Sequence, residues 1–100
     1  MRLTKQQITC LVNATHLCFG DTADIWLFGS RVHDNKKGGD IDLYIETDLE
    51  KNTVAAKLKM RELIWPLFGE QKIDIIVRSR SKSLSPIHEI ALSSGQKLAA

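Results

Sequence analysis

Three aspartates, Asp40, Asp42 and Asp74, stand in otherwise apolar, strand-like segments, DIDLYIE at 40–46 and KIDIIV at 72–77. A Gly29-Ser30 pair closes the apolar run before the first of them. In an extended chain, residues two apart project from the same face about 6.5 Å apart, so Asp40 and Asp42 can converge on ions between or above them. If the segment holding Asp74 pairs beside the first with its isoleucines in the core, Asp74 must emerge on the same side. Three carboxylates without counter-ions repel one another and partly protonate, whereas hard divalent cations such as Mg2+, or Mn2+ in its place, neutralise them through oxygen ligands. The pattern therefore predicts a metal site. Two such ions about 3.5–4 Å apart suit the transfer of a phosphoryl or nucleotidyl group, because they stabilise the attacking and leaving oxygens together. That chemistry needs a phosphate holder. Gly29 permits close backbone approach, the Ser30 hydroxyl can donate to a phosphate oxygen, and Arg31 adds a fork of donors next door.

The acids need elements to position them. Thr4-Lys-Gln-Gln7 matches a capping box, and Ile8, Leu11, Val12, Thr15 and Phe19 recur at helical spacing until Gly20, which predicts a first helix. ADIWLF, 23–28, reads as a buried strand. DIDLYIE alternates, with Ile41, Leu43 and Ile45 on one face and Asp40, Asp42 and Tyr44 on the other. Thr47-Asp-Leu-Glu50 is a second capping-box match, ahead of Ala56, Met60, Leu63, Ile64 and Leu67, and Pro66 is expected to kink or end that helix. KIDIIV sets Ile73, Ile75 and Val77 opposite Asp74. Ser85-Pro86 and Gly95 bracket Ile87, Ile90 and Ala91 as cap, first residue and stop of a short helix. The order αββαβα, with no repeat or linker, predicts an α+β fold: a small mixed β-sheet with helices covering its Ile-rich face, as one domain over residues 1–100.

Composition narrows the function classes. The chain has 100 residues, 43% apolar and 26% charged, which is enough for one core and too few for two. A net charge of +2 does not by itself dictate a nucleic-acid or membrane partner, and the one basic cluster, RSRSK at 78–82, reads as a solvated loop. Nucleic acid is therefore not expected as a direct ligand. No apolar run approaches the roughly 18 residues of a membrane helix and the N-terminus carries no hydrophobic signal segment, so a cytoplasmic location is expected. Cys10 and Cys18 read as two buried thiols.

Plainer roles exist for every residue taken singly. A lone acid at a strand start caps a turn or faces water. His16, His33 and His88 read as exposed histidines, Lys36 and Lys37 as loop solubility, Gly38 and Gly39 as shaping a turn, and Trp26 and Trp65 as core or interface anchors. The constellation is more specific than its parts. FGS, nine residues, then DID with apolar alternation and a third Asp in IDIIV resembles the DNA polymerase beta type nucleotidyltransferase superfamily, and in size and layout the minimal nucleotidyltransferases. That resemblance implies a polymerase beta palm-like fold. It implies that Asp40 and Asp42 hold two Mg2+ ions, that Asp74 holds the catalytic one and polarises the attacking hydroxyl, and that Gly29 and Ser30 bind the triphosphate tail. Relatives often carry a small residue, Arg and Gly where this chain has Val32, His33 and Asp34, and a Ser where it has Gly39.

The function implied is transfer of AMP from ATP, or of a nucleotide from another nucleoside triphosphate, onto an acceptor hydroxyl with release of pyrophosphate. One hundred residues leave little room for a base-gripping domain, so a partner is expected to complete the site. In this the chain resembles the antitoxin half of toxin-antitoxin pairs whose companion is a helical HEPN-type ribonuclease, which implies adenylylation of that partner. The alternative is a non-enzymatic binding module that keeps the fold and neutralises a partner by contact.

Overall fold

A computed structural model describes residues 3–28, 41–69 and 72–99. The first helix begins as its capping box predicts: Thr4 Oγ1 accepts the Gln7 N–H at 3.0 Å, and the Gln7 side-chain oxygen accepts the Thr4 N–H at 2.9 Å. Helix α1, Lys5–Phe19, ends at Gly20, whose φ of 105° favours a residue without a Cβ. Its Leu11, Val12, Ala14, Thr15 and Phe19 are buried.

Strands β1 (Asp24–Phe28), β2 (Ile41–Thr47), β3 (Ile73–Ser79) and β4 (Gln96–Lys97) form one sheet in the order β3-β2-β1-β4. β2 pairs antiparallel with β1 and parallel with β3, so the sheet is mixed as expected. A parallel pair needs a long crossover, and helix α2, Thr53–Phe68, supplies it. Each long strand turns an apolar face to the core, although Phe28 and Tyr44 are buried on the other. Ile25, Leu27, Ile41, Leu43, Ile45, Ile73 and Ile75 share a buried face, and Leu11, Phe19, Met60 and Ile64 of α1 and α2 pack on it.

The second capping box does not open α2. Thr47 is the last residue of β2, and its hydroxyl donates to the Phe19 carbonyl at 2.7 Å and accepts the Leu49 N–H at 3.1 Å. It ties the end of β2 to the end of α1 instead. α2 starts behind Asn52, a left-handed residue at φ 62° with no side-chain cap. Pro66 lies inside α2, which continues to Phe68, so the proline does not end the helix there.

The third helix, α3 (Pro86–Ser94), departs from the expected layer. α1 and α2 cover the Ile-rich face, whereas α3 packs on the opposite face, with Ala91 clustered with Phe28 and Tyr44. Pro86 takes the first helical position and the Ser85 N–H donates to His88 Nδ1 at 3.0 Å. Beyond Gly95 the chain adds β4 against β1, and the Leu98 N–H donates to the Ile25 carbonyl at 2.9 Å. Two residues are too few for an alternation to announce this strand. No helix among the described residues is long and apolar enough to cross a membrane. Cys10 and Cys18 are free and half-buried, and burial raises the Cys18 thiol pKa.

Gly95 sits where α3 turns into β4. A Cβ there would run into the Ala91 carbonyl oxygen and approach Phe28 Cβ to 3.1 Å and the Leu27 oxygen to 3.2 Å. We expect Gly95→Ala to destabilise the fold by about 1–3 kcal/mol, the usual cost of overpacking, measured as a lowered urea midpoint. An unchanged midpoint would mean that the α3–β4 corner is slack.

Candidate active site

The face of the sheet away from α1 and α2 is built in three rows. Register places Phe28, Asp42 and Asp74 side by side on β1, β2 and β3, then Trp26, Tyr44 and Ile76, then Asp24, Glu46 and Arg78. Asp74 therefore emerges beside Asp42, on the side that the alternation demands. Neighbouring strands lie about 4.8 Å apart, so these two half-buried carboxylates are adjacent. The Asp74 side chain makes no hydrogen bond or ion pair with another described residue.

Asp40, Gly29, Ser30 and Arg31 lie outside the described residues, as do His33, Lys36, Lys37, Gly38 and Gly39. Phe28 and Ile41, the residues that segment 29–40 joins, lie in or next to the Asp42 row. Among the described residues no three acidic, histidine or cysteine side chains converge as a metal site. Of the three-carboxylate set, Asp42 and Asp74 are the members described. Their chemistry fits a hard divalent cation: two oxygen donors on adjacent strands, in register, on one face.

The other end of the face is chemically finished. Tyr44, fully buried, donates its hydroxyl to Glu46 Oε2 at 2.7 Å and accepts from Arg78 Nε at 3.0 Å, while Arg78 also bonds Glu46 at 2.9 Å. Arg80 meets Asp24 at 2.8 Å, Asp48 at 3.2 Å and Glu46 at 4.0 Å. Burial, then the bond to Glu46, pushes the Tyr44 pKa up to about 12. Above Tyr44 lie Trp26 and His88, each with its ring centre 5.4 Å away.

This corrects two readings, of RSRSK and of the histidines. RSRSK is not simply a solvated loop: Arg78 is a β3 residue with 13% of its side chain exposed, and Arg80 anchors three carboxylates. The period-2 alternation of β3, carried two residues past Ile76, would have put Arg78 on the acid face. His88 is half-buried against Tyr44, and His16 is half-buried as well. Trp26 packs beside Tyr44 as an anchor, whereas Trp65 is 53% exposed.

A family model, the nucleotidyltransferase domain, matches residues 14–98, nearly the whole chain. The chain belongs to the nucleotidyltransferase domain family. Nucleotidyl transfer is the general activity of that family, its members bind nucleoside triphosphates, and it generally uses divalent metals. A comparison with curated proteins finds no match.

The Glu46 cluster carries a pH dependence. Burial works to raise the Glu46 pKa, but the hydrogen bonds from Tyr44 and Arg78 and the charges of Arg78 and Arg80 outweigh it and lower it. A depressed folded pKa contributes stability that is present above the unfolded value of about 4.3 and is lost as pH falls through the folded value. Glu46→Gln should therefore be about 2 kcal/mol less stable than the parent near neutral pH, with the gap narrowing as pH falls below the ordinary carboxylate range. Urea unfolding at neutral and at acidic pH checks this.

Proposed function

We propose that this chain transfers AMP from ATP to a hydroxyl on a helical partner protein and, in the manner of an antitoxin, neutralises a HEPN-type companion in the cytoplasm. The observation that carries the reading is the parallel register that sets Asp42 beside Asp74 on the face away from α1 and α2, in a chain of the nucleotidyltransferase domain family. Asp40 and Asp42 would hold two Mg2+ ions and Asp74 one of them, with Gly29, Ser30 and Arg31 binding the triphosphate. Bound there, the ions would neutralise charge on the phosphates and on the oxygens being exchanged.

The acceptor oxygen forms a bond to the α-phosphorus as the bond from that phosphorus to the bridging oxygen breaks, and pyrophosphate leaves. The hydroxyl proton passes to a carboxylate oxygen of Asp74 and on to water. A protein acceptor brings a surface of its own, and binding energy from that surface can position the reacting hydroxyl.

Incubation of the chain with ATP, Mg2+ and its partner, followed by intact mass spectrometry, tests the proposal. The partner should gain the mass of one or more AMP units. Inhibition of the partner without a mass change would establish the contact-only module, and a modified small molecule or RNA end would overturn the protein acceptor. Asp42→Asn should keep the fold and lower transfer at least about 100-fold, because it removes a ligand of the ions and not a core contact. Without nucleotide, millimolar Mg2+ or Mn2+ should raise the thermal midpoint of the parent and not of Asp42→Asn, since ions that bind only the folded state stabilise it.

A further inference from the structure

Among the described residues β3 is an edge strand. The Ile41 N–H donates to the Lys72 carbonyl at 2.8 Å and the Arg80 N–H to the Thr47 carbonyl at 2.9 Å, which fixes the parity of the β2–β3 ladder. Residues 74, 76 and 78 turn their backbone groups toward β2, and Ile73, Ile75, Val77 and Ser79 turn theirs outward. Among the described residues only one of these outward groups is met, the Ser79 carbonyl, by the Lys82 N–H at 2.9 Å. The strand is seven residues long and has no proline, glycine or lysine to interrupt edge pairing.

We propose that β3 pairs antiparallel with β3 of a second copy of this chain, across a two-fold axis at Ile76, so that two four-stranded sheets become one. The outward parity requires odd-numbered residues to face odd-numbered ones. With the axis at Ile76, Ile75 faces Val77 of the second copy and Ile73 faces Ser79, as hydrogen-bonded pairs. Asp74 then faces Arg78 in the intervening pair, so opposite charges oppose one another while the Arg78 guanidinium keeps its bonds to Glu46 and Tyr44. Shifting the axis to residue 74 sets Asp against Asp, and shifting it to 78 sets Arg against Arg, both destabilising. Axes at 75 or 77 leave one end of the strand unmatched. IDIIVRS is thus self-complementary in charge and in apolar character about its own centre.

α2 supplies the rest of the surface. Its α1-facing flank is marked by Leu67, whose carbonyl accepts from Gln7 Nε2, and by Met60, which touches Thr15. The opposite flank overhangs the outer edge of β3, because α2 lies on the β3 side of the layer and α1 on the β1 side. It carries Val54, Leu58 and Trp65, which are 69, 57 and 53% exposed and fall within one narrow stripe at 100° per residue. Ile73 and Ile75 are each 2% exposed, so this edge is covered in the single chain and must be uncovered for a strand to add. The overhanging flank also bears Lys57 and Arg61, half-buried and without a hydrogen bond or ion pair among the described residues. The Arg61 Nε is buried with no acceptor, so moving these stems breaks no polar contact. In the dimer the two α2 helices run antiparallel across the axis and their apolar stripes cover one another.

The inference is independent of the transfer reaction and is tested on the chain alone. Sedimentation equilibrium should give a dimer. In a Cys10→Ser, Cys18→Ser background, Ile76→Cys should oxidise to a disulfide-linked dimer, because residue 76 faces its own copy, and Ile73→Cys should not. Leu58→Glu with Trp65→Glu should give a folded monomer with an unchanged circular dichroism spectrum. A monomer at every concentration, or a dimer that fails to crosslink through position 76, overturns the proposal. A dimer that survives the double glutamate variant removes α2 from the interface.

Discussion

The parallel pairing of β2 with β3 is the constraint on which the rest of the structure depends. It aligns Ile41, Leu43 and Ile45 with Ile73, Ile75 and Val77, and by the same act aligns Asp42 with Asp74 and Glu46 with Arg78. Because side chains alternate, a one-residue slip of β3 would turn its isoleucines toward α3 and drive Asp74 and Arg78 under α1 and α2. An unpaired carboxylate in that layer would cost several kcal/mol. The apolar column is therefore what holds the two acids together on the outer face. Their proximity is a by-product of core packing, and no bond between them is required.

How much of this was legible in the sequence follows from the range of the interactions concerned. The Thr4 box, the Gly20 stop and the Ser85-Pro86 start depend on contacts within a few residues and were readable. The alternation of the strands put Asp42, Tyr44 and Asp74 on their faces before any pairing was known. Thr47 fits the same local pattern as Thr4, yet its hydroxyl is taken by Phe19, distant in sequence, so the tertiary bond displaced the cap. Arg78 was misread because its partner Glu46 lies on another strand and RSRSK looks polar by composition. The two-residue β4 had no period to read. Asp42 and Asp74 were legible as a pair, whereas Gly29, Ser30, Arg31 and Asp40 remain readings of the sequence.

α3 explains why the acid face is not uniformly wet. A half-open sheet needs only its inner face covered, yet Tyr44 is fully buried under Ala91 and His88, and its hydroxyl must then find partners inside. Glu46 and Arg78 satisfy it, and each satisfies the other. The cluster is closed on itself, which makes it a structural footing for β2 and β3 and a poor place for chemistry.

The contrast with the first row follows from where the arginines point. Arg78 shares a strand and a face with Asp74, about 13 Å along the chain. Its guanidinium turns away, to Glu46, Tyr44 and the Lys82 carbonyl. Arg80 is spent on Asp24, Asp48 and Glu46. Both arginines of the RSRSK run are thus committed to the far end of the sheet, and each is fixed by more than one bond. The carboxylates at that end are neutralised within the fold, whereas among the described residues Asp74 has no such cation. Sorting the two arginines to one end of the sheet leaves Asp42 and Asp74 side by side at the other, as oxygen donors of the kind a divalent cation takes.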